Sequence, residues 1–365
     1  MNNVSAPGVS LIICCYNSAS RIAVTLKHIA LQKVPAAIQW EVILVDNNST
    51  DNTQNAAQHE WEQHNVPVSF KIVKESKSGL IYAREKGISE AKYELLLFCD
   101  DDNWLEENYI RHAFEIMNAN SNIAILGGRS QGNFESNKPI WFENFEKAYV
   151  TGKPLEHSGI ANVRSYIAGA GMVVRKPVLD LLYALKFKPL LTGRRGKELL
   201  SGEDSEICLL IMFLGYDLYY DDRLQFIHFI TANRLSWKYC VSMISSGHAI
   251  PQVYFDFYRY CWGKILDHEE PSFENGYAVI KKRSLNRLIK SLSPVRDTMK
   301  ILFQSGQGSK KEIEIKAAFN KLKFALGNKK RLSAEFKNIC LILYNIKEYR
   351  LTKSGSNAGP KKVML

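Results

Sequence analysis

Residues 94–104 constrain the fold most strongly, because a short apolar run is followed at once by three carboxylates. The run at 95–99 is short enough to form a buried strand of a parallel sheet. Asp100, Asp101 and Asp102 then lie at the carboxyl end of that strand, where open α/β sheets bind ligands. Three adjacent carboxylates repel one another unless a cation or hydrogen-bond donors offset their charge. The stretch therefore fits either a divalent cation that bridges these residues to a diphosphate or a solvated acidic turn.

Three earlier apolar runs alternate with helical patterns, and together they predict a parallel sheet. The expected strands cover residues 9–15, 40–45, 68–73 and 94–99, and the expected helices cover 21–32, 53–64 and 81–91. This β-α-β-α-β-α-β order implies right-handed crossovers and helices on both faces of the sheet. The fold class is therefore α/β with a Rossmann-like sheet. The sequence has neither a Gly-x-Gly-x-x-Gly fingerprint nor a Walker loop, which argues against a usual dinucleotide site and a P-loop.

The pattern after the acidic triplet is less regular. The expected elements are a helix at 105–118, a strand at 123–127, an irregular aromatic segment at 133–159, a helix at 207–214, and short strands at 217–220 and 224–229. Residues 193–202 are rich in Gly and cations, which is typical of a mobile loop. From residue 235 onward the pattern is helical and increasingly basic, with a linker at 304–310.

Composition and cysteine usage indicate an ordinary globular protein. At 365 residues, 46% hydrophobic and 23% charged, the chain can bury a full core and is expected to hold one large domain with an appendage. The N-terminus lacks a signal-peptide pattern, and no apolar run approaches the ~18 residues that span a bilayer. The seven cysteines form no Cys-x-x-Cys pair, which favours reduced thiols in a cytoplasmic protein.

The net charge of +11 is unevenly distributed. Residues 277–365 hold 21 Lys and Arg against 5 Asp and Glu, whereas residues 1–276 hold 27 against 32. Three partners fit the basic region: the anionic inner face of a membrane, the rest of the protein or a second subunit in a homodimer, and nucleic acid. No recognition motif or stacking pattern of aromatics supports nucleic acid, so we expect none.

Five motifs in fixed order resemble the family 2 glycosyltransferases, which have the GT-A fold. They lie at 9–17, 45–51, 79–87, 98–102 and 202–204, so the resemblance covers about residues 8–235. The family usually has Pro-Thr before the Tyr-Asn pair, where this chain has Cys14 and Cys15. The resemblance implies a GT-A catalytic domain at 1–235, with a nucleotide-sugar half at about 1–104 and an acceptor half at about 105–235. A basic helical region at 236–353 and a disordered tail at 354–365 follow.

The resemblance also implies which residues bind the nucleotide sugar. Tyr16 offers a flat face for the nucleobase, although a Tyr at a strand end is often only packing, and Asn17 follows it. Asp46 would accept the N3–H of uracil, which favours a UDP-sugar. Gly79 and Arg84 match the phosphate and ribose side, although Arg84 could equally be a surface helix residue. Asp51 is expected to be a helix cap rather than a ligand contact.

The acidic triplet matches the family's Asp-x-Asp pattern. Asp100 would contact ribose or act in the outer shell, Asp101 belongs to the donor-binding set without a definite role, and Asp102 would bind Mg²⁺ or Mn²⁺. These hard ions prefer carboxylate and phosphate oxygens. His228 follows an apolar strand, where some relatives place a third metal ligand. A lone His is also commonly structural.

Glu203 and Asp204 stand at a helix start, where acidic residues are common because of the helix dipole. By resemblance, Asp204 is the base that deprotonates the acceptor hydroxyl, and Glu203 contacts the acceptor or the donor sugar. Trp104, Trp141 and residues 169–172 are candidate walls of the sugar subsites, and core packing fits each equally well. The loop with Arg194 and Arg195 could close over the diphosphate.

The function implied is a metal-dependent, inverting transfer of a sugar from a nucleotide sugar to a hydroxyl of a glycan or lipid-linked glycan. Two alternatives stay open. A nucleotidyltransferase also uses an α/β sheet with carboxylates on Mg²⁺, but its Gly-rich, basic loop after the first strand is missing at 17–20. A non-catalytic nucleotide-sugar-binding module would keep the fold without the chemistry. The expected location is cytoplasmic, as a peripheral protein on the inner face of the membrane if the basic region binds lipid.

Overall fold

The computed structural model describes residues 6–194, 199–293 and 307–354, and a nine-stranded mixed sheet positions its functional residues. The first four strands are neighbours in the order β3-β2-β1-β4, and all are parallel. They are β1 (Ala6–Cys15), β2 (Trp40–Asp46), β3 (Ser69–Lys74) and β4 (Tyr93–Asp100). The predicted run of parallel strands is confirmed.

Helices cross between these strands as the sequence predicts. They are α1 (Ile22–Ala30), α2 (Thr53–Gln63) and α3 (Leu80–Glu90). The side chains of β1 are buried on both faces, as Leu11, Ile12 and Ile13 show. This is the pattern expected of a central strand covered by helices on each side, and it explains why its sequence is continuously apolar. The predicted α/β class with a C-terminal helical extension is confirmed.

The second half of the sheet is mixed. It contains β5 (Asn103–Leu105), β6 (Ile123–Phe134), β7 (Gly159–Ile160), β8 (Val173–Arg175) and β9 (Asp217–Ile230). Strand β8 is antiparallel to both β4 and β6, and β9 pairs with β5, β6 and β7. Helices α4 (Tyr109–Ala119), α5 (Lys176–Ala184) and α6 (Glu203–Leu214) complete this part.

Two sequence predictions in this half were wrong. The helix expected from residue 105 begins at Tyr109, because residues 103–105 form a strand paired with β9. The two short strands expected at 217–220 and 224–229 are one strand, β9. Strand β6 also extends beyond the expected 123–127. In each case the pairing partner is distant in the sequence, so a local pattern does not reveal it.

The described residues form two compact units. The first comprises the described part of Met1–Glu135, with Glu146–Leu182 and Ile207–Thr231. The second comprises Ser136–Phe145 and the described parts of Tyr183–Glu206 and Ala232–Leu365. The proposed division into residues 1–235 and 236–353 stays a prediction.

Helices dominate the second unit. They are α7 (Trp237–Ser242), a π-helix (Met243–His248), α8 (Gln252–Leu266), α9 (Phe273–Ser291), α10 (Lys310–Gly327) and α11 (Lys329–Ser354). A largely buried ion pair between Lys321 and Asp256, 2.7 Å long, joins α10 to α8. Among the helices in the described ranges, none is long and apolar enough to cross a membrane. Residues 304–306 of the expected linker and residues 355–365 of the expected tail lie outside the described residues.

Candidate active site

The acidic triplet forms a tight turn between β4 and β5. The buried Asp101 carboxylate accepts hydrogen bonds from the Ser18 hydroxyl and from Arg21 Nη2, the latter at 2.6 Å. Thr25 Oγ1 donates to the Asp101 carbonyl at 2.8 Å. Burial raises the pKa of Asp101 to about 6, although the Arg21 charge opposes this rise. Asp101 therefore anchors the turn to the β1–α1 connection, which gives it a positioning contact that the sequence did not predict.

Asp102 lies beside His228 because β5 pairs with β9. Asn103 is opposite His228 in that pairing, and the amide of Phe229 donates to the Asp102 carbonyl at 2.8 Å. Asp102 Oδ2 is consequently 3.6 Å from His228 Nε2, and both side chains are largely shielded from solvent. The structure thus brings together the two residues that the sequence analysis named as metal ligands.

The orientation of His228 is fixed from its other side. Its Nδ1 lies 2.7 Å from the carbonyl oxygen of Tyr149. A carbonyl only accepts hydrogen bonds, so Nδ1 carries a proton, and Nε2 is the ring nitrogen that could bind a cation beside Asp102. Metal-binding histidines are commonly held in this way by a backbone carbonyl.

The Asp102–His228 pair fits a divalent cation that takes its other ligands from a diphosphate and water. Mg²⁺ needs few protein ligands because it retains waters and binds substrate phosphates. Over residues 6–194, 199–293 and 307–354, no group of three or more His, Cys, Asp or Glu side chains is arranged to hold a metal. Phosphate oxygens would have to supply part of the coordination.

Polar residues at the ends of β1 and β2 organise the expected nucleotide side. Tyr16 follows β1 and is 48% exposed, so its ring is accessible to a ligand. Asn17 has a φ of +50° and accepts a hydrogen bond from the Thr50 amide at 2.8 Å. The buried Asp46 accepts from the Ser49 amide at 3.1 Å and from the Gln54 amide group. Their proposed contacts with nucleotide stay predictions.

Asn47 is a structural residue of this region that the sequence analysis missed. Its Nδ2 donates to the carbonyls of Glu75 and Lys77 at 3.2 and 2.8 Å, and its Oδ1 accepts from the Gly79 amide at 2.7 Å. Gly79 has a φ of +138°, which favours glycine. One side chain therefore shapes the loop in front of α3. The only sequence signal is its position directly after β2.

Arg84 is 4% exposed, so it is not a surface helix residue. Its guanidinium carbon lies 5.3 Å from the centre of the Phe98 ring. A Cβ atom at Gly169 would collide with Arg84 Nη2, so a larger residue there would displace the end of the Arg84 side chain. Gly171 has a φ of +70° and lies against the Tyr109 hydroxyl. Both glycines therefore allow neighbouring side chains to pack closely against the backbone.

The second unit contains the expected base at the start of α6. Asp204 Oδ1 accepts a hydrogen bond from the Ser205 amide at 2.6 Å. Glu203 is buried, and a Cβ atom at Gly193 would lie 2.9 Å from its carboxyl carbon. Gly193 has a φ of +70°, so two features restrict this position to glycine. Gly193 therefore lies against the Glu203 carboxylate; Arg195 lies outside the described residues.

Glu206 was also missed by the sequence analysis, and it ties three elements together. Its fully buried carboxylate accepts from the amides of Leu190 and Leu191 at 3.1 and 3.2 Å and from the Tyr258 hydroxyl at 2.7 Å. Burial raises its pKa to about 7 even though all these donors favour the ionised form. Glu206 thereby fastens the segment before Gly193 to α6 and α8.

His248 ends the π-helix and is the third residue that the sequence analysis missed. Its desolvation, together with the charge of Arg194, lowers its pKa to about 4, while Asp204 acts in the opposite direction. The imidazole is therefore neutral at neutral pH. The preceding residue, Gly247, accepts a hydrogen bond from Ser201 Oγ at 3.0 Å. Single π-helical turns are frequent at functional sites.

Three other candidates are placed by local contacts. Trp104 stacks between His28 and Phe229, with ring centroids 5.8 and 5.4 Å away. Trp141 is buried, and its ring centroid lies 5.3 Å from that of Trp237. Both tryptophans thus have packing roles. Asp51 accepts from the amides of Ala19 and Thr53 at 3.1 Å each, so it stabilises the loop before α2.

Comparison with known proteins identifies the family. The model of Glycosyl transferase family 2 matches residues 10–182, which include β1 to β4 and the acidic turn. Residues 10–182, just under half of the chain, are thus similar to glycosyl transferase family 2. The predicted family, and the enzyme class that goes with it, are confirmed for this segment.

Individual curated proteins match this chain at low sequence identity and over part of their length. A poly-beta-1,6-N-acetyl-D-glucosamine synthase of Staphylococcus epidermidis is 23% identical over 173 residues, which are 47% of this chain and 40% of that protein. Glycosyltransferase GlyG of Streptococcus pneumoniae is 30% identical over 132 residues, 34% of this chain and 42% of that one. The alignments span less than half the length of these curated relatives.

Solved structures include S. aureus TarS 1–349 in complex with UDP-GlcNAc. It aligns with a TM-score of 0.48 and 16% identity over 94% of this chain and 92% of that one.

Proposed function

We propose that this chain transfers a sugar from a nucleotide sugar, with UDP-sugars favoured, to a hydroxyl of a glycan or lipid-linked glycan. The observation that carries the proposal is the Asp102–His228 pair, in which Asp102 follows β4 within the family 2 segment and His228 lies on β9. The name of one relative, a poly-beta-1,6-N-acetyl-D-glucosamine synthase, supports polysaccharide synthesis as the context.

In this proposal Asp102 and His228 would hold Mg²⁺ or Mn²⁺, and the bound cation would offset the charge that develops on the diphosphate as the glycosidic bond breaks. The Tyr149 carbonyl keeps Nε2 of His228 available for this role. Asp101, bound to Arg21 and Ser18, fixes the turn that carries Asp102. Asp100 contacts ribose or acts through the outer shell.

The residues around β1 and β2 bind the nucleotide. The exposed Tyr16 ring stacks on the base, next to Asn17, and Asp46 accepts the N3–H of uracil. The loop that Asn47 shapes presents Gly79 to the phosphates, and the guanidinium of Arg84 supplies positive charge on the ribose and phosphate side. Arg84 suits this role because its position is set by close packing against Gly169.

Asp204 acts as the base. It takes the proton from the acceptor hydroxyl as that oxygen attacks the anomeric carbon, and the nucleoside diphosphate leaves with the electrons of the broken bond. A single displacement inverts the anomeric configuration and needs no enzyme nucleophile. Glu203 contacts the acceptor or the donor sugar.

The test measures release of nucleoside diphosphate from UDP- and GDP-sugars, with Mn²⁺ and with EDTA. Asp102→Ala should abolish turnover, and Asp204→Asn should reduce it at least ~10²-fold while nucleotide binding persists. Asp180→Asn is the matched control, because Asp180 is an exposed carboxylate paired with Lys176.

Full activity in EDTA or with Asp102→Ala would refute the metal assignment. Release of pyrophosphate instead of nucleoside diphosphate would indicate a nucleotidyltransferase. Nucleotide-sugar binding without turnover of any donor would indicate a binding module.

A further inference from the structure

Helix α9 has two apolar faces, and only one of them is covered. Tyr277 and Ile280 lie on the buried face, where the Tyr277 hydroxyl donates to the Ala325 carbonyl of α10 at 3.2 Å. Leu285, Ile289 and Leu292 are instead 44%, 58% and 39% exposed. Their spacing of four and three residues places them in one stripe along the helix. We call these three residues the α9 stripe.

Two lysines flank the α9 stripe. Lys281 and Lys282 precede Leu285 by four and three residues, so they flank the stripe. The rest of the exposed surface of the helix carries Arg283, Arg287 and Lys290. All five basic residues are exposed, and the sequence has no Asp or Glu between residues 275 and 293. The α9 stripe is therefore flanked by two lysines, and the exposed surface of α9 from residue 275 onward carries cations without a carboxylate among them.

A comparison with α11 shows that this combination is specific. Leu341, Tyr344 and Leu351 on α11 are exposed to a similar extent, at 49%, 38% and 45%. Glu348 shares their side of the helix, four residues after Tyr344 and three before Leu351. That stripe lacks the uniform positive charge of α9, so it serves as an internal control.

We propose that the α9 stripe and its flanking lysines dock on the surface of an anionic membrane. Basic residues near an anionic bilayer each contribute about 1 kcal/mol of attraction, and apolar side chains on the same face enter the headgroup boundary. A second copy of the chain fits less well, because two such faces would bring their four flanking lysines together at an interface. Nucleic acid fits less well too, because residues 278–293 contain no aromatic side chain to stack on bases.

The experiment is co-sedimentation of the full chain with vesicles of phosphatidylcholine alone and vesicles with equal parts of phosphatidylglycerol. The wild type should bind the anionic vesicles and be released by salt. Leu285→Glu combined with Ile289→Glu, and separately Lys281→Glu combined with Lys282→Glu, should each weaken binding at least ~10-fold. Leu341→Glu combined with Leu351→Glu should leave it unchanged.

Equal binding to neutral vesicles, no binding to anionic vesicles, or equal loss in the α11 variant would overturn the proposal. A change of oligomeric state in the α9 variants without a change in lipid binding would assign the face to a second copy. Thermal unfolding checks that the variants are folded. Donor turnover in solution should be unchanged in the α9 variants, so failure of the membrane proposal and failure of the transfer proposal give different results.

Discussion

Replacement of Glu206 by Gln tests whether burial or hydrogen bonding has the larger effect on the pKa of this carboxylate, which lies two residues after the proposed base Asp204. The wild-type carboxylate receives only donors: the amides of Leu190 and Leu191 and the Tyr258 hydroxyl. In Glu206→Gln the amide oxygen can accept from both backbone amides, and the NH₂ group can donate to the Tyr258 oxygen. The variant therefore keeps the contacts and removes only the charge.

The expected magnitude follows from the raised pKa. A change from 4.5 to about 7 corresponds to about 3 kcal/mol, at about 1.4 kcal/mol per pKa unit. The folded state binds the proton more tightly than the unfolded state, so wild-type stability falls as pH rises from 4.5 through 7. The variant lacks this dependence. Its stability relative to wild type should therefore rise by about 3 kcal/mol across that window.

The assay is urea unfolding of both proteins, followed by tryptophan fluorescence, at about pH 5 and about pH 8. The free energy of unfolding of Glu206→Gln, measured relative to that of wild type, should be higher at about pH 8 than at about pH 5. Glu206→Ala is the control for lost contacts, and it should be destabilised at both pH values. A constant difference between Glu206→Gln and wild type would mean that the donors keep Glu206 ionised and that the argument from burial is wrong.

Three further changes probe the first unit. Gly169→Ala should preserve the fold, because the atom that a Cβ would meet is at the end of the flexible Arg84 side chain. It should weaken nucleotide binding ~10-fold, measured by calorimetry, because Arg84 is displaced. An unchanged Kd would exclude Arg84 from the donor site. His228→Gln should weaken Mn²⁺ binding at least ~10-fold, measured by electron paramagnetic resonance in the presence of UDP. Wild-type affinity would remove His228 from the metal site. Asp101→Asn should lower the free energy of unfolding by about 2 kcal/mol, because it breaks a largely buried ion pair with Arg21. Urea unfolding that shows no loss of stability would contradict this.

Local sequence patterns predicted the first half of the sheet because each strand there is a short apolar run between polar clusters. The Asp102–His228 pair could be proposed only by resemblance, since its geometry depends on the pairing of β5 with β9. A three-residue strand has no periodicity of its own. Residue 105 therefore looked like the start of a helix that actually begins at Tyr109.

The missed residues share a different cause. Asn47 and Glu206 act through hydrogen bonds to backbone amides and carbonyls of other segments, and backbone groups leave no mark in a sequence. His248 is placed by a π-helix, which has no simple sequence signature. The glycines at 169 and 193 looked like turn or loop residues, and only the structure shows that their missing side chains make room for Arg84 and Glu203.

The place of β8 beside β4 sets the order in which a chain under synthesis can complete its sheet. Strands β1 to β4 are all available once residue 100 has been made, but the free edge of β4 is covered only when residues 173–175 arrive. An edge with unpaired amides and carbonyls can pair with another chain. The nascent chain therefore exposes an aggregation-prone edge while α4 and β6 are translated, and Asp102 has no His228 beside it until β9 has emerged.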